Sequence, residues 1–342
     1  MQTRRTFIEI AAGATLAALT PGTGCARKRE QKQPRRPGYG VTKAPGGRAR
    51  VVVIRSASVL GANRKVDRHK VWKMLELGLR RLAGARDARA ALSRWVRPTD
   101  TVGLKVNCLA GRQMSTHLEL TEALIGLLAR AGLPRNNNIV FDRSDLDLRR
   151  AGYPIWVAGR DYRSMGNDRA GYERELRVMP TGASRFSRVA THMASVLINL
   201  PILKDHGLAG VSGALKNNFG LVHNPNKFHL NGCDPHVAEV NAWDFVHRKQ
   251  RLVICDALRV QVEGGPAFHA AGAVDHGALL LANDPVALDV VAWDLLEQLR
   301  RQRKLRSLKA DGREPRHILT AASKRLGVGD RGRIEVIKVK VS

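Results

Sequence analysis

The chain has 342 residues, 44% of them hydrophobic, which suffices for one large or two modest cores and excludes a disordered chain. Its formal net charge of +28 rests on 42 arginines and 16 lysines against 30 acidic residues. These basic residues do not gather into an aromatic-interleaved stripe, so they read as a solvated surface, and nucleic acid is not the expected partner.

Thr3, Arg4, Arg5, Thr6, Phe7 and Ile8 precede the apolar run Ile10 to Leu19 and the helix-hostile Thr20, Pro21 and Gly22. That order is an export signal, and the paired arginines before Phe7 resemble the twin-arginine type, read by a translocon that carries folded proteins. The run is too short to span a bilayer. Residues 1–25 are therefore assigned as signal peptide, with Cys25 a candidate lipid-attachment site, and the expected location is the periplasm or the outer face of the cell membrane. Membrane contact is expected only through that signal or a lipid on Cys25. Beyond it, Cys108, Cys233 and Cys255 form neither a disulfide framework nor a CxxC, so no iron–sulfur motif is encoded. Residues 26–50, rich in Arg, Lys, Pro and Gly, read as a flexible basic linker.

The α/β domain is expected over 51–342. Val51 to Ile54 reads as a doubly covered strand and His69 to Leu82 as a helix. Thr101 to Asn107 is a second strand. Thr116 and Glu119 have capping-box spacing before a helix closed by Gly132, and Ile139 to Asp142 is a third strand. Alternating strands and helices imply a mostly parallel sheet with helices on both faces. From 143 to 192 no period holds, and an irregular insertion is expected. Ser195 to Leu200 is the next strand, ended by Pro201. Leu252 to Asp256 and Ala278 to Ala282 follow, with helices opened by Asp234–Pro235 and Asp284–Pro285. A helix near Pro315 to Leu326 and a strand near Ile334 to Val341 complete the chain.

In such sheets ligands bind beyond the carboxyl ends of the strands. Those ends carry Lys105 and Asn107, Asp142, Lys204 to His206, and Asp256. Lys105 sits in an apolar strand and needs either a ligand or an ion-pair partner such as Asp142 or Asp256. Leu197 to His223 is the densest stretch, with Lys204, Asp205, His206, glycines at 207, 210, 213 and 220, and then Lys216, Asn217 and Asn218. Lys204, His206 and Lys216 are the catalytic candidates, the lysines binding charge and His206 serving as acid or base. Lys105, Asn107, Asn217, Asp256 and Glu263 are the substrate-binding candidates, Glu263 opening a Gly264–Gly265–Pro266 turn that fits an anion nest and equally an ordinary loop turn. His223, His229, Cys233 and His236 are competent ligands for a divalent metal, although their spacing matches no standard closed site and loop histidines are the alternative. No dinucleotide, P-loop, zincin or serine-hydrolase motif occurs.

The segments VGLKVN (102–107), LPILKDHGLAGVSGALKNNFGLV (200–222), DALRVQVEGGP (256–266) and ANDPVALDVVAWDLL (282–296) resemble the DUF362 family over about residues 51–300. By that resemblance Lys105, Lys204, His206, Lys216, Asn217, Glu263 and Asp284 occupy motif positions. Family members often carry twin-arginine signals, and some carry ferredoxin-like segments whose cysteines are missing here. The expected activity is that of an exported enzyme acting on a small anionic substrate. The alternative is a non-catalytic envelope protein that binds a metal or an anion and hands it to a partner protein.

Overall fold

Runs of aliphatic and β-branched residues become strands covered on both faces, with amphipathic segments packed over them. The structure is a computed structural model that describes residues 48–158 and 161–342. The twin-arginine start, Cys25 and most of the basic linker lie outside the described residues. In chain order the elements are β1 (Ala49–Arg55), α1 (Arg68–Ala83), α2 (Ala88–Leu92), β2 (Val102–Val106), α3 (Leu118–Arg130), β3 (Asn138–Asp142), α4 (Asp145–Ala151), β4 (Arg163–Gly166) and α5 (Asn167–Ala170). The hairpin β5 (Arg177–Met179) and β6 (Gly182–Ser184) leads to β7 (Val196–Leu200), β8 (Ile202–His206), β9 (Gly210–Ser212), α6 (Ala214–Asn217), α7 (His236–Ala242) and α8 (Asp244–Lys249). Then come β10 (Gln250–Gln261), β11 (Ala273–Ala282), α9 (Pro285–Gln302), α10 (Arg316–Ser323) and β12 (Ile334–Lys340).

Ten strands form one sheet in the order β12-β1-β11-β10-β7-β2-β3-β4, with β8 beside β10 and β9 beside β8. The sheet is mostly parallel; β11 runs against both its neighbours and β9 against β8. Alternation along each strand divides the core. Val102, Leu104, Val106, Ile198 and Ile254 point toward α1 to α4, whereas Leu197, Val253 and Cys255 point toward α7 to α10. The expected α/β architecture with helices on both faces is thus the one observed. Among the described residues no helix is long and apolar enough to cross a membrane.

Several local expectations are corrected. Strand β1 begins at Ala49, inside the segment read as linker. Thr116 and Glu119 form no capping box, because Thr116 Oγ1 donates to Leu200 O and accepts from Asn107 N, and His117 takes the cap position. Asp234 does not cap α7, whereas Asp284 caps α9 by accepting from Val286 N and Ala287 N. The stretch 143–192 holds α4, sheet strand β4 and the β5/β6 hairpin. Their shortness and polar composition, RSMG in β4 for example, leave no period to detect. Pro201 does not end the strand region. The chain crosses to pair with β10 as β8, so Lys204 and His206 stand on a strand rather than on a loop.

Candidate active site

Beyond the carboxyl ends of β2, β3 and β8 lies a cavity of about 200 Å³, lined by Lys105, Asn107, Asp142, Lys204, His206, Ser212, Lys216, Asn217, Gly220 and His229, with Arg143, Asp147 and Phe219. Its floor is a closed network. Lys105 Nζ donates to Asp142 Oδ1 at 2.7 Å, to Val106 O at 2.7 Å and to Asn217 Oδ1 at 3.2 Å, which uses all three ammonium protons. The other carboxylate oxygen of Asp142 accepts from Cys108 N at 2.6 Å. Asn217 Nδ2 donates to Lys105 O and Asn199 Oδ1, and its oxygen also accepts from Asn107. Lys105 and Asn217 are therefore saturated by the protein and act as scaffold.

Close packing enforces this floor. A Cβ on Gly220 would lie 2.6 Å from Lys105 Cε, and one on Gly213 would lie 2.2 Å from Asp289 Oδ1. These glycines admit protein side chains, where the sequence suggested room for a ligand. Asp289 in turn accepts from Ala214 N and Leu215 N and so fixes the start of α6, which presents Lys216 and Asn217. Burial raises the Asp289 carboxyl to about 7.

Lys204 and Lys216 differ from Lys105. Lys204 Nζ donates to Asn107 Oδ1 at 3.1 Å, and Lys216 Nζ reaches His229 Nε2 at 3.2 Å and the face of Phe219 at 4.2 Å. Neither has a carboxylate within ion-pair distance among the described residues. Burial lowers both ammonium groups to about 8, and for Lys204 the neighbouring Lys216 and Lys105 charges add to this while Asp142 opposes it. Four cationic side chains line the cavity against Asp142 and Asp147, and Asp147 is already bound to Arg143. Two positive charges are left unbalanced at neutral pH.

The histidine tautomers follow from their partners. His206 Nδ1 accepts from Leu208 N and Ala209 N, both at 3.2 Å, so the proton of the neutral ring is on Nε2. Burial, then Lys216, His229 and Lys204, pushes this imidazole down to about 2. With Nδ1 occupied by two backbone donors, the neutral ring offers Nε2–H as a hydrogen-bond donor. His229 Nδ1 faces Pro225 O at 3.0 Å and must carry the proton there, leaving Nε2 to accept from Lys216. The two rings stack with centroids 5.6 Å apart.

The remaining candidates lie elsewhere. Asp256, fully buried, faces the other side of the sheet and binds His117 N and Nδ1, each at 2.8 Å. Although burial of the His117 ring works the other way, that carboxylate raises its pKa. Glu263 is exposed, and its turn supplies Gly265 N to Asp205 Oδ2, so only Pro266 of that turn reaches the cavity. Asp205 points from β8 to Arg313 at 2.6 Å and does not orient His206. The four suggested metal ligands do not converge. His223 stacks edge-on against Tyr172, His229 holds Lys216, Cys233 is buried, and His236 meets Thr181 and Phe228. Among the described residues no three His, Cys, Asp or Glu side chains form a metal-holding group. Sequence reasoning missed Ser212, Phe219, Arg143, Asp147 and Asn226 in the lining. Only the spacing of four between Arg143 and Asp147, which are of opposite charge, offered a signal.

The family model for DUF362, a domain of unknown function, matches residues 102–294. No curated protein matches. Among solved structures the chain is similar to a Thermotoga maritima protein, with 12% identity and a TM-score of 0.42 over 69% of this chain and 59% of that one. It is also similar to the lactate racemase apoprotein from Thermoanaerobacterium thermosaccharolyticum, with 12% identity and a TM-score of 0.38 over 66% and 53%. The chain thus spans little more than half the length of each.

Proposed function

Because the chain belongs to the DUF362 family, a domain of unknown function, we propose from its pocket that it is an enzyme acting on a small anionic substrate. The observation that carries this reading is the pair of buried ammonium groups, Lys204 and Lys216, that lack a carboxylate in an open cavity. Burying an ammonium without a counter-charge is costly, and a bound anion offsets the cost. Lys204 and Lys216 would hold the anion, His206 Nε2–H would donate to its developing negative charge, and the Lys105–Asp142–Asn217 floor would fix their positions. Titration calorimetry with phosphate, sulfate, pyruvate and malonate at pH 7 tests it. The expected result is binding of at least one anion, weakened about tenfold or more in Lys204→Ala. Absence of binding at low ionic strength would overturn the reading.

A second reading, a non-catalytic carrier of the same anion, is favoured by one specific feature. Asp142 and Asp147, the carboxylates in the lining, are both engaged, so no carboxylate base is free. Recovery of the bound anion chemically unchanged, followed by NMR, separates carrier from enzyme. Export by the twin-arginine route, suggested by Arg4 and Arg5, belongs to the same proposal. Replacing both by lysine should leave the protein in the cytoplasm on cell fractionation.

A further inference from the structure

We propose that Lys216 forms an imine with the carbonyl of a small oxo acid whose carboxylate is held by Lys204. This deepens the anion-pocket reading and rests on it. The geometry around Nζ carries the argument. Lysine nitrogens inside a protein are normally paired with a carboxylate, as Lys105 is with Asp142 at 2.7 Å. Lys216 Nζ meets the lone pair of His229 Nε2 at 3.2 Å, an acceptor fixed in that tautomer by Pro225 O, and otherwise faces the cavity. An acceptor without negative charge can hold a neutral amine as well as an ammonium, which a carboxylate would not.

The Phe219 ring at 4.2 Å favours the ammonium, whereas burial favours the amine. Burial prevails, and the group at about 8 has a substantial neutral fraction just above neutral pH.

The remaining lining supplies what imine formation needs. Lys204 offers a positive charge for the carboxylate, and His206 offers Nε2–H for the carbonyl oxygen. After Lys216 gives its proton to solvent, the nitrogen lone pair attacks the carbonyl carbon, the carbonyl π pair moves to oxygen, and the oxygen takes up the proton that the attacking nitrogen sheds, giving a neutral carbinolamine with one N–H. The carbinolamine then loses its hydroxyl and the nitrogen-bound proton as water, leaving C=N. No oxidant or reductant is involved. The cavity of about 200 Å³ suits a short-chain oxo acid.

The test is reductive trapping. The intact protein is incubated with pyruvate and sodium cyanoborohydride between pH 7 and 9, digested, and mapped by peptide mass spectrometry. The expected result is labelling of Lys216 about tenfold or more faster than exposed lysines such as Lys73 and Lys309, with the rate rising through pH 8. Mapping on the unmodified chain avoids dependence on a variant that fails to fold. Lys204→Arg should keep the labelled site, and Lys216→Arg should lose it with the melting temperature retained. Pyruvate that binds by calorimetry but labels Lys216 no faster than exposed lysines would overturn the imine and leave the anion pocket standing. Binding of phosphate without pyruvate would overturn the oxo-acid assignment, and binding of no anion would overturn both.

Discussion

Lys105 Nζ and Asp142 Oδ1, 2.7 Å apart on neighbouring parallel strands, form a buried ion pair that neutralises the charge closest to the sheet and leaves Lys204 and Lys216 as the excess. A charge already satisfied by the protein gains little from a ligand. One held without a counter-charge gains the full interaction.

Lys204 should therefore trade stability for binding. Its ammonium, lowered to about 8, is destabilising wherever it is protonated in the fold. Lys204→Met, close to isosteric, should raise stability by roughly 1–3 kcal/mol at pH 7 and abolish anion binding. Urea unfolding and calorimetry on the same variant check both. A loss of stability would show that Lys204 is paired in solution.

Gly220→Ala places a methyl 2.6 Å from Lys105 Cε, a side chain pinned by its three acceptors. The expected cost is roughly 1–3 kcal/mol, with anion affinity lost as the floor shifts. A variant with unchanged melting temperature would mean that the floor is softer than its hydrogen bonds imply.

Anion affinity should fall as pH rises through about 8, because Lys204 and Lys216 lose the protons that attract the ligand. Calorimetry from pH 6.5 to 9.5 with sulfate, which does not titrate in this range, isolates the protein groups. Constant affinity across the range would remove both lysines from the site.

His317 is fully buried with neither ring nitrogen hydrogen-bonded, and burial lowers it to about 3. A depressed histidine contributes stability that is complete above 6.5 and lost as pH falls toward the folded value. Asp289, raised to about 7, has the opposite sign, its contribution fading as pH rises through 7. Comparison with His317→Leu cancels it. The wild type should lose roughly 2 kcal/mol relative to that variant between pH 7 and 5. A constant difference, measured by urea unfolding at each pH, would show that His317 stays solvated.

His117→Ala should leave anion binding within about twofold, although it removes a histidine held by a buried carboxylate. The pair His117–Asp256 lies on the sheet face opposite the cavity, because Asp256 follows Cys255 in β10 and successive side chains alternate. Strong loss of binding would join the two faces functionally.

The sequence by itself determined the fold class and the central strands, but not the short elements of 143–192 or β8. Runs such as VGLKV, NIVFD and VLINL could only be covered strands, and the alternation with amphipathic helices left a mostly parallel sheet as the solution. Of the residues it singled out, Lys105, Asn107, Lys204, His206, Lys216 and Asn217 line one cavity. Tertiary structure decided which of them are paired within the protein and which face the cavity without a counter-charge. Pairing depends on distances across strands and on side-chain parity, neither of which sequence spacing encodes. Thus Asp142 took Lys105, Arg313 took Asp205, and His117 took Asp256. His229, read as a metal ligand, became the neutral acceptor for Lys216, because Pro225 fixed its tautomer four residues away in a turn that carries no periodic signal. The residues were legible as chemistry; their division into paired and unpaired charges required the fold, because only burial and contact decide which charges stay unpaired.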